Sequence, residues 1–84
     1  MKHYIHRNLG VCSAAVSFDL DDDNKLHNVV FDGGCHGNLQ AIGKLVEGKD
    51  ASEIAGILRG NRCGFKDTSC ADQLARGIEE ALND

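Results

Sequence analysis

The chain has 84 residues, a formal charge of −4 and hydrophobic residues at 42% of its positions. This composition suits one small domain with a modest core and excludes a disordered chain. A negative charge without a basic run gives no electrostatic basis for binding nucleic acid, and no apolar stretch reaches the roughly 20 residues of a membrane span. The sequence begins without the apolar segment of a signal peptide, so we expect a cytoplasmic protein with a single domain over residues 1–84.

The first half of the sequence predicts β-strands. Apolar and polar residues alternate from Ser13 to Leu20, which is typical of a half-buried strand. An acidic turn follows, and Leu26 to Asp32 is expected to return as the second strand of an antiparallel hairpin. The segment Lys2 to Arg7 is expected to add a third strand. Three histidines are expected on the surface of these strands: His3, His6 and His27.

After Gly33-Gly34 the hydrophobic period becomes that of helices. The predicted apolar faces are Leu39, Ile42, Leu45 and Val46 in the first helix, Ile54, Ile57 and Leu58 in the second, and Ala71, Leu74, Ala75, Ile78 and Leu82 in the third. Gly48 and Gly60 should end the first two helices. Asp50 should cap the second, and the third should begin near Thr68 or Ser69. Since strands precede helices, the sequence predicts an α+β fold, in which a small antiparallel sheet of two or three strands carries three helices on one face.

The chain has four cysteines, and each falls at the end of a predicted element: Cys12, Cys35, Cys63 and Cys70. In a reducing cytosol such residues serve more often as metal ligands, redox groups or small buried side chains than as disulfides. Element ends at one edge of a two-layer fold can converge, so the sequence predicts one metal site formed by all four, with His36 as a reserve ligand. Zinc suits four thiolates in tetrahedral geometry, and an iron–sulphur cluster also accepts them.

Three alternatives stay open at this point. Cys63 and Cys70 are close in sequence and could exchange disulphides, because a helix start would lower the pKa of the Cys70 thiol. Gly33-Gly34, Gly37 and Asn38 could hold a phosphate at the start of the first helix, which would suit nucleotide binding. The domain could also bind a partner without any metal.

The run from Cys63 to Ala75 resembles the motif of the TSCPD-domain proteins, as do Gly10-Val11-Cys12-Ser13 upstream and the segment Gly33 to Leu39. Ala71 stands where that family has proline. The resemblance implies a single TSCPD-type domain of the kind also found at the C-terminus of cobalamin-dependent ribonucleotide reductases. It therefore implies an accessory module with a protein partner, such as a reductase or a cluster-transfer protein. The chain is too short to be a complete ribonucleoside-diphosphate reductase and is not expected to be an enzyme on its own.

A more distant resemblance is to the U-type iron–sulphur scaffold proteins, of the IscU and NifU type. They also have a hairpin, a Gly-Cys pair, a helix and a last helix that starts with cysteine. Cys12, Cys35 and Cys70 would take the places of their three cysteines, but Ala14 and Ser69 stand where those proteins have Asp and His. The resemblance implies an IscU-like fold and supports metal or cluster binding.

Overall fold

A computed structural model describes residues 1–84 and shows three strands followed by three helices. The strands are β1 (Lys2–Arg7), β2 (Ser13–Leu20) and β3 (Leu26–Gly33), and the helices are α1 (His36–Val46), α2 (Ala51–Leu58) and α3 (Cys70–Leu82). The predicted α+β order is therefore confirmed, including the third strand at Lys2–Arg7. None of the helices combines the length and the apolar character that crossing a membrane requires.

The three strands form an antiparallel sheet in the order β1-β2-β3. Cross-strand neighbours on its inner face include Tyr4 with Phe18 and Val16 with Phe31. Val16 and Phe18 are fully buried, and the ring of Tyr4 stacks on that of Phe18 with centroids 5.7 Å apart. The alternation read from the sequence therefore sets which side of β2 faces the core.

All three helices lie on the inner side of the sheet. Helix α1 runs beside β3, α3 crosses β1 and β2, and α2 packs on α3. A Cβ at Gly43 of α1 would come within 2.7 Å of the Val29 carbonyl oxygen, and one at Gly77 of α3 within 2.8 Å of the His6 Cβ. Glycine at these two positions lets the helices approach the strands closely, and the outer face of the sheet carries no helix.

The helix ends agree with the predicted cap at Asp50 and with the predicted start of the third helix near Ser69. The Asp50 side chain accepts a hydrogen bond from the Glu53 backbone N–H at the start of α2, and the Ser69 Oγ accepts one from the Asp72 N–H at the start of α3. Gly48 and Gly60, which follow α1 and α2, have positive φ angles of 75° and 86°. Each cap satisfies a backbone group that the helix itself leaves unpaired.

Three of the predicted core positions are wrong. Leu45 and Ile57 are each 73% exposed, and Leu82 is 37% exposed. Helix α1 lies beside the edge strand and buries only the side chains that point towards it. Helix α2 contacts α3 through small residues, Ala51 and Ala55, which are buried in place of Ile57.

Candidate functional site: a thiol pair at one edge of the sheet

Two of the four cysteines meet at the edge of the sheet where β2 begins. Cys12 lies in the loop before β2, and Cys70 is the first residue of α3. Their sulfur atoms are 3.7 Å apart and unbonded. Cys12 is exposed whereas Cys70 is buried, so the pair has one residue on the solvent side and one on the interior side.

A chain of hydrogen bonds leads through the interior to this pair. The Asn8 side-chain Nδ2 donates to the Ser13 Oγ over 2.8 Å, and the Ser13 Oγ donates to the Cys70 Sγ over 3.0 Å. Since the Cys70 sulfur accepts from Ser13, its own S–H is free to donate to the Cys12 sulfur. The order of donors therefore favours negative charge on Cys12, at the solvent end of the chain.

The electrostatics at Cys12 agree with this order. The hydrogen bond with Cys70 lowers the pKa of the Cys12 thiol from its usual 9.0, and a hydrogen bond from the Cys35 backbone and the positive charge of Lys66 lower it further. Partial burial opposes these effects without outweighing them. Cys12 is thus the sulfur best prepared to act as a thiolate, which is the form that binds metals and attacks disulphides.

Cys35 approaches the pair through its backbone. It is the N-cap residue of α1 and follows Gly33 and Gly34, whose φ angles are 83° and 80°. A Cβ at Gly34 would lie 3.0 Å from the Cys12 sulfur and 2.8 Å from the Leu39 Cδ1. The two glycines therefore let the chain turn against Cys12 and deliver the Cys35 backbone to it, while the Cys35 side chain is exposed.

Cys63 lies on an exposed turn between α2 and α3. Its N–H donates to the Thr68 carbonyl and its own carbonyl accepts from the Lys66 N–H, each over 3.1 Å. Cys63 and Cys70, the pair predicted to exchange disulphides, are not hydrogen-bonded to each other, and the partner of Cys70 is Cys12. The turn nevertheless brings the charge of Lys66 towards Cys12.

A buried carboxylate fixes the base of that turn. Asp72 is fully buried in the first turn of α3, where it accepts hydrogen bonds from the Thr68 hydroxyl, the Gly60 N–H at 2.6 Å and the Arg76 Nε at 2.9 Å. Burial raises the pKa of Asp72, but these donors outweigh it and lower the pKa from 3.8 to about 2. Asp72 therefore ties both ends of the Cys63 loop to α3 as a permanent anion.

The spacing of the thiol pair matches one edge of a tetrahedral metal site. With zinc–sulfur bonds of about 2.3 Å, two thiolates on one ion are about 3.8 Å apart, and the Cys12 and Cys70 sulfurs are separated by 3.7 Å. The structure brings these two predicted ligands together. No group of three or more Cys, His, Asp or Glu side chains is gathered closely enough to hold a metal ion, so Cys35 and Cys63 do not join the pair. The residues present fit half of a zinc site.

Two of the three strand histidines, His6 and His27, are more than the simple surface residues predicted, whereas His3 is exposed as expected. His6 is largely buried, with Nδ1 2.6 Å from the Glu80 carboxylate and Nε2 2.9 Å from the Gln73 side-chain oxygen. His27 lies between the carboxylates of Asp21 and Glu47 at 2.8 and 2.6 Å. Their partners come from distant parts of the chain, which strand alternation cannot reveal. His36, the reserve ligand, is exposed.

A groove of about 430 Å³ runs between β3 and α1 and ends beside the cysteines. Gly33, Gly34, His36 and Leu39 line this end of it. The start of α1 has no side-chain cap and no acidic residue in its first turn. Gly33 and Gly34 thus border the groove, whereas Gly37 and Asn38 do not line it, and nucleotide binding itself stays a prediction.

Fold and site together define a small α+β domain that presents a polarised thiol pair at one edge of its sheet. The model of the TSCPD domain matches residues 2–82. The chain therefore belongs to the TSCPD-domain family, as the motif around Cys70 predicted. No curated protein and no solved structure matches the chain, so the resemblance to the U-type scaffold proteins stays a prediction.

Proposed function

We propose that this chain is a small metal-binding domain, accessory to a protein partner rather than catalytic. Cys12 and Cys70 supply the first two thiolates, Cys35 the third and Cys63 the fourth. The observation that carries the proposal is the 3.7 Å separation of the Cys12 and Cys70 sulfurs. A bound ion would offset the modest core of so small a domain, because metal binding to the folded state stabilises it.

The same separation favours one ion over a four-iron cluster. Two thiolates on a single tetrahedral ion are separated by about 3.8 Å, whereas in a four-iron cluster each cysteine binds a different iron. The lowered pKa of Cys12 also favours binding, because a thiol must lose its proton to become a ligand. Zinc is the ion we expect. A reductase or a cluster-transfer protein as partner stays a prediction.

The positions of Cys35 and Cys63 in the fold determine which movements metal binding would require. Cys35 is the residue after Gly34, where an added Cβ would lie 3.0 Å from the Cys12 sulfur. Cys63 is on a turn between two glycines with positive φ, Gly60 and Gly64. Closing the site would therefore require the side chain of Cys35 and the turn that carries Cys63 to move towards the Cys12–Cys70 pair.

Titration of the reduced apoprotein with Co²⁺ tests the proposal. Thiolate-to-cobalt absorption bands rise with the number of thiolates bound, so we expect saturation at one ion per chain and a weaker band in Cys35→Ser and Cys63→Ser. Cys12→Ser and Cys70→Ser should lose most of the affinity, while His36→Ala should bind as the parent does. Elemental analysis of protein purified without oxygen would identify the native metal. Absence of binding in the parent protein would refute the proposal.

A second candidate function is thiol–disulphide exchange by Cys12 and Cys70, which the short sulfur separation and the lowered pKa of Cys12 both favour. The Cys12 thiolate would attack a disulphide of a substrate protein and release one substrate thiolate. Cys70, after losing its proton, would then attack the Cys12 sulfur and release the second. The substrate is thereby reduced by two electrons and a Cys12–Cys70 disulphide forms, with the sulfurs moving to about 2.05 Å.

The two functions make opposite predictions for Cys63→Ser. Exchange by Cys12 and Cys70 would leave reduction of a model disulphide unchanged in this variant, whereas the metal site would lose a ligand. A disulphide mapped by mass spectrometry between Cys12 and Cys70 in the oxidised protein would support exchange. A disulphide at Cys63 instead would contradict it.

A further inference from the structure

The outer face of the sheet is covered by no part of the chain. Side chains that point to this side come in cross-strand rows, one residue from each strand. The middle row consists of Ile5, Ser17 and Val30, and the row nearer the thiol edge consists of Arg7, Ala15 and Asp32. We call these six residues the open face.

The middle row exposes apolar surface. Ile5 is 68% exposed and Val30 is 59% exposed, on either side of the small Ser17. A branched aliphatic side chain on each outer strand and a short residue between them give a shallow, regular surface. Burying it against another apolar surface would be favourable by about 25 cal/mol for each Å² removed from water.

The next row carries opposite charges at its two ends. Arg7 is on β1 and Asp32 on β3, with Ala15 between them. None of the chain's ion pairs involves Arg7 or Asp32. With strands about 4.8 Å apart, the two backbones are separated by about 10 Å. Two unpaired charges of opposite sign therefore flank an apolar centre.

We propose that the open face binds a second copy of this chain in a face-to-face, two-fold symmetric dimer. A two-fold axis parallel to β2 exchanges left and right, so it sets Arg7 over Asp32 of the partner subunit and Ile5 over Val30 of the partner subunit. Each contact occurs twice, as in any isologous interface. The short side chains of Ser17 and Ala15 lie on the axis and let the sheets approach to about 10 Å.

The third row of the outer face, which contains Asp19, is compatible with the proposed dimer. Asp19 would approach its own copy near the axis, which would be costly for a free carboxylate. Its oxygens, however, already accept hydrogen bonds from His3 at 2.6 Å and from the Asn28 side chain at 2.9 Å. The Asp19 carboxylate at this end of the face is therefore already hydrogen-bonded within each subunit.

The area of the open face determines the affinity that we expect for the dimer. Three strands of six residues present roughly 300 Å² in projection, which is well below the roughly 800 Å² per partner of a standard interface. We therefore expect a reversible dimer with a dissociation constant in the range of about 10–100 µM. The two Arg–Asp pairs then select the partner and its orientation more than they add affinity.

Charge-reversal variants test the proposal, with dimerisation measured by sedimentation equilibrium. The protein is kept reduced, because a reducing agent excludes disulphide-linked dimers. Arg7→Asp places like charges in both pairs, and Asp32→Arg does the same with the opposite sign. Each should weaken dimerisation at least tenfold. Glu53→Arg, at an exposed position of α2 away from the sheet, changes the charge by the same amount as Asp32→Arg and is the control, which should leave the dimer unchanged.

Mixing the two variants gives the sharpest result. Arg7→Asp paired with Asp32→Arg has two attractive contacts, so the 1:1 mixture should form a heterodimer about as strong as the parent dimer. This recovery needs both variants to be folded and therefore separates loss of the interface from loss of structure. A parent protein that is monomeric at several hundred micromolar, or a mixture that stays monomeric, would overturn the proposal.

Discussion

Replacing Asp72 by asparagine would remove the charge from a fully buried side chain that holds three parts of the structure together. The carboxylate accepts hydrogen bonds from the Gly60 N–H, the Thr68 hydroxyl and the Arg76 guanidinium. Asparagine has nearly the same shape. It presents an NH₂ group to at least one of these donors, so one bond is lost and a donor faces a donor.

The pKa of Asp72 gives the magnitude. A folded pKa of about 2 against 3.8 in the unfolded chain means that the fold prefers the ionised form by about 2 kcal/mol, at about 1.4 kcal/mol for each pKa unit. The opposed donors add about 1–2 kcal/mol. We therefore expect Asp72→Asn to lower the free energy of unfolding at pH 7 by about 3–4 kcal/mol.

Urea unfolding followed by circular dichroism between pH 7 and pH 2 is the assay. Because the folded pKa is depressed, the contribution of Asp72 is present above pH 3.8 and is lost as the pH falls towards 2. The difference between parent and variant should therefore shrink over this range. Asp67→Asn, an exposed carboxyl in the same loop, is the matched control. A cost below about 0.5 kcal/mol, within the range of ordinary surface substitutions, or a difference independent of pH would refute the reasoning.

Three further predictions concern close packing, pH and thiol reactivity. Gly43→Ala should lower the free energy of unfolding by about 1–3 kcal/mol through overpacking, since its Cβ would come within 2.7 Å of a carbonyl oxygen. Gly56→Ala has open space around it and should raise stability by about 0.5–1 kcal/mol. Hydrogen bonds and charges from two carboxylates raise the pKa of His27, so its stabilisation is present below pH 6.5 and is lost as the pH rises through the higher folded pKa. Cys12 should be alkylated fastest of the four thiols at pH 7, and Ser13→Ala should raise the pH midpoint of that reaction by removing the donor to Cys70.

Each of these predictions has a distinct contrary outcome. Equal effects of Gly43→Ala and Gly56→Ala in urea unfolding would mean that helix propensity, and not contact with β3, decides both. A melting-temperature gap between the parent and His27→Gln that does not narrow from pH 6 to pH 9 would contradict the ion pairs assigned to His27. Mass spectrometry of partly alkylated protein that found Cys63 labelled before Cys12 would contradict the polarised pair.

The elements and their ends were predictable because they depend on neighbours in the chain. Alternation in β2 and the capping residues Asp50 and Ser69 are local patterns with local physical causes. Helix faces were predicted less well. Leu45 and Ile57 continue the apolar period of their helices, yet each points to solvent, because the number of neighbours around a helix is a property of the packed domain.

The candidate site was predictable in its residue types and its position at element ends, but not in its pairing. Sequence proximity favoured Cys63 with Cys70, whereas the fold pairs Cys70 with Cys12. Ser13 could have been found from its place beside Cys12. No sequence pattern indicates that the charge of Lys66 acts on Cys12 or that Asp72 is buried. Both depend on contacts that form only when the chain folds.

By itself, the sequence determined the α+β order and the family, because periodicity, turn residues and motifs depend on residues that are close together in the chain. The tertiary structure alone decided which thiols meet, which groups lower the pKa of Cys12 and which face of the sheet stays open. These properties depend on distances between residues far apart in sequence. The sulfurs of Cys12 and Cys70 are 58 positions apart along the chain and 3.7 Å apart in space.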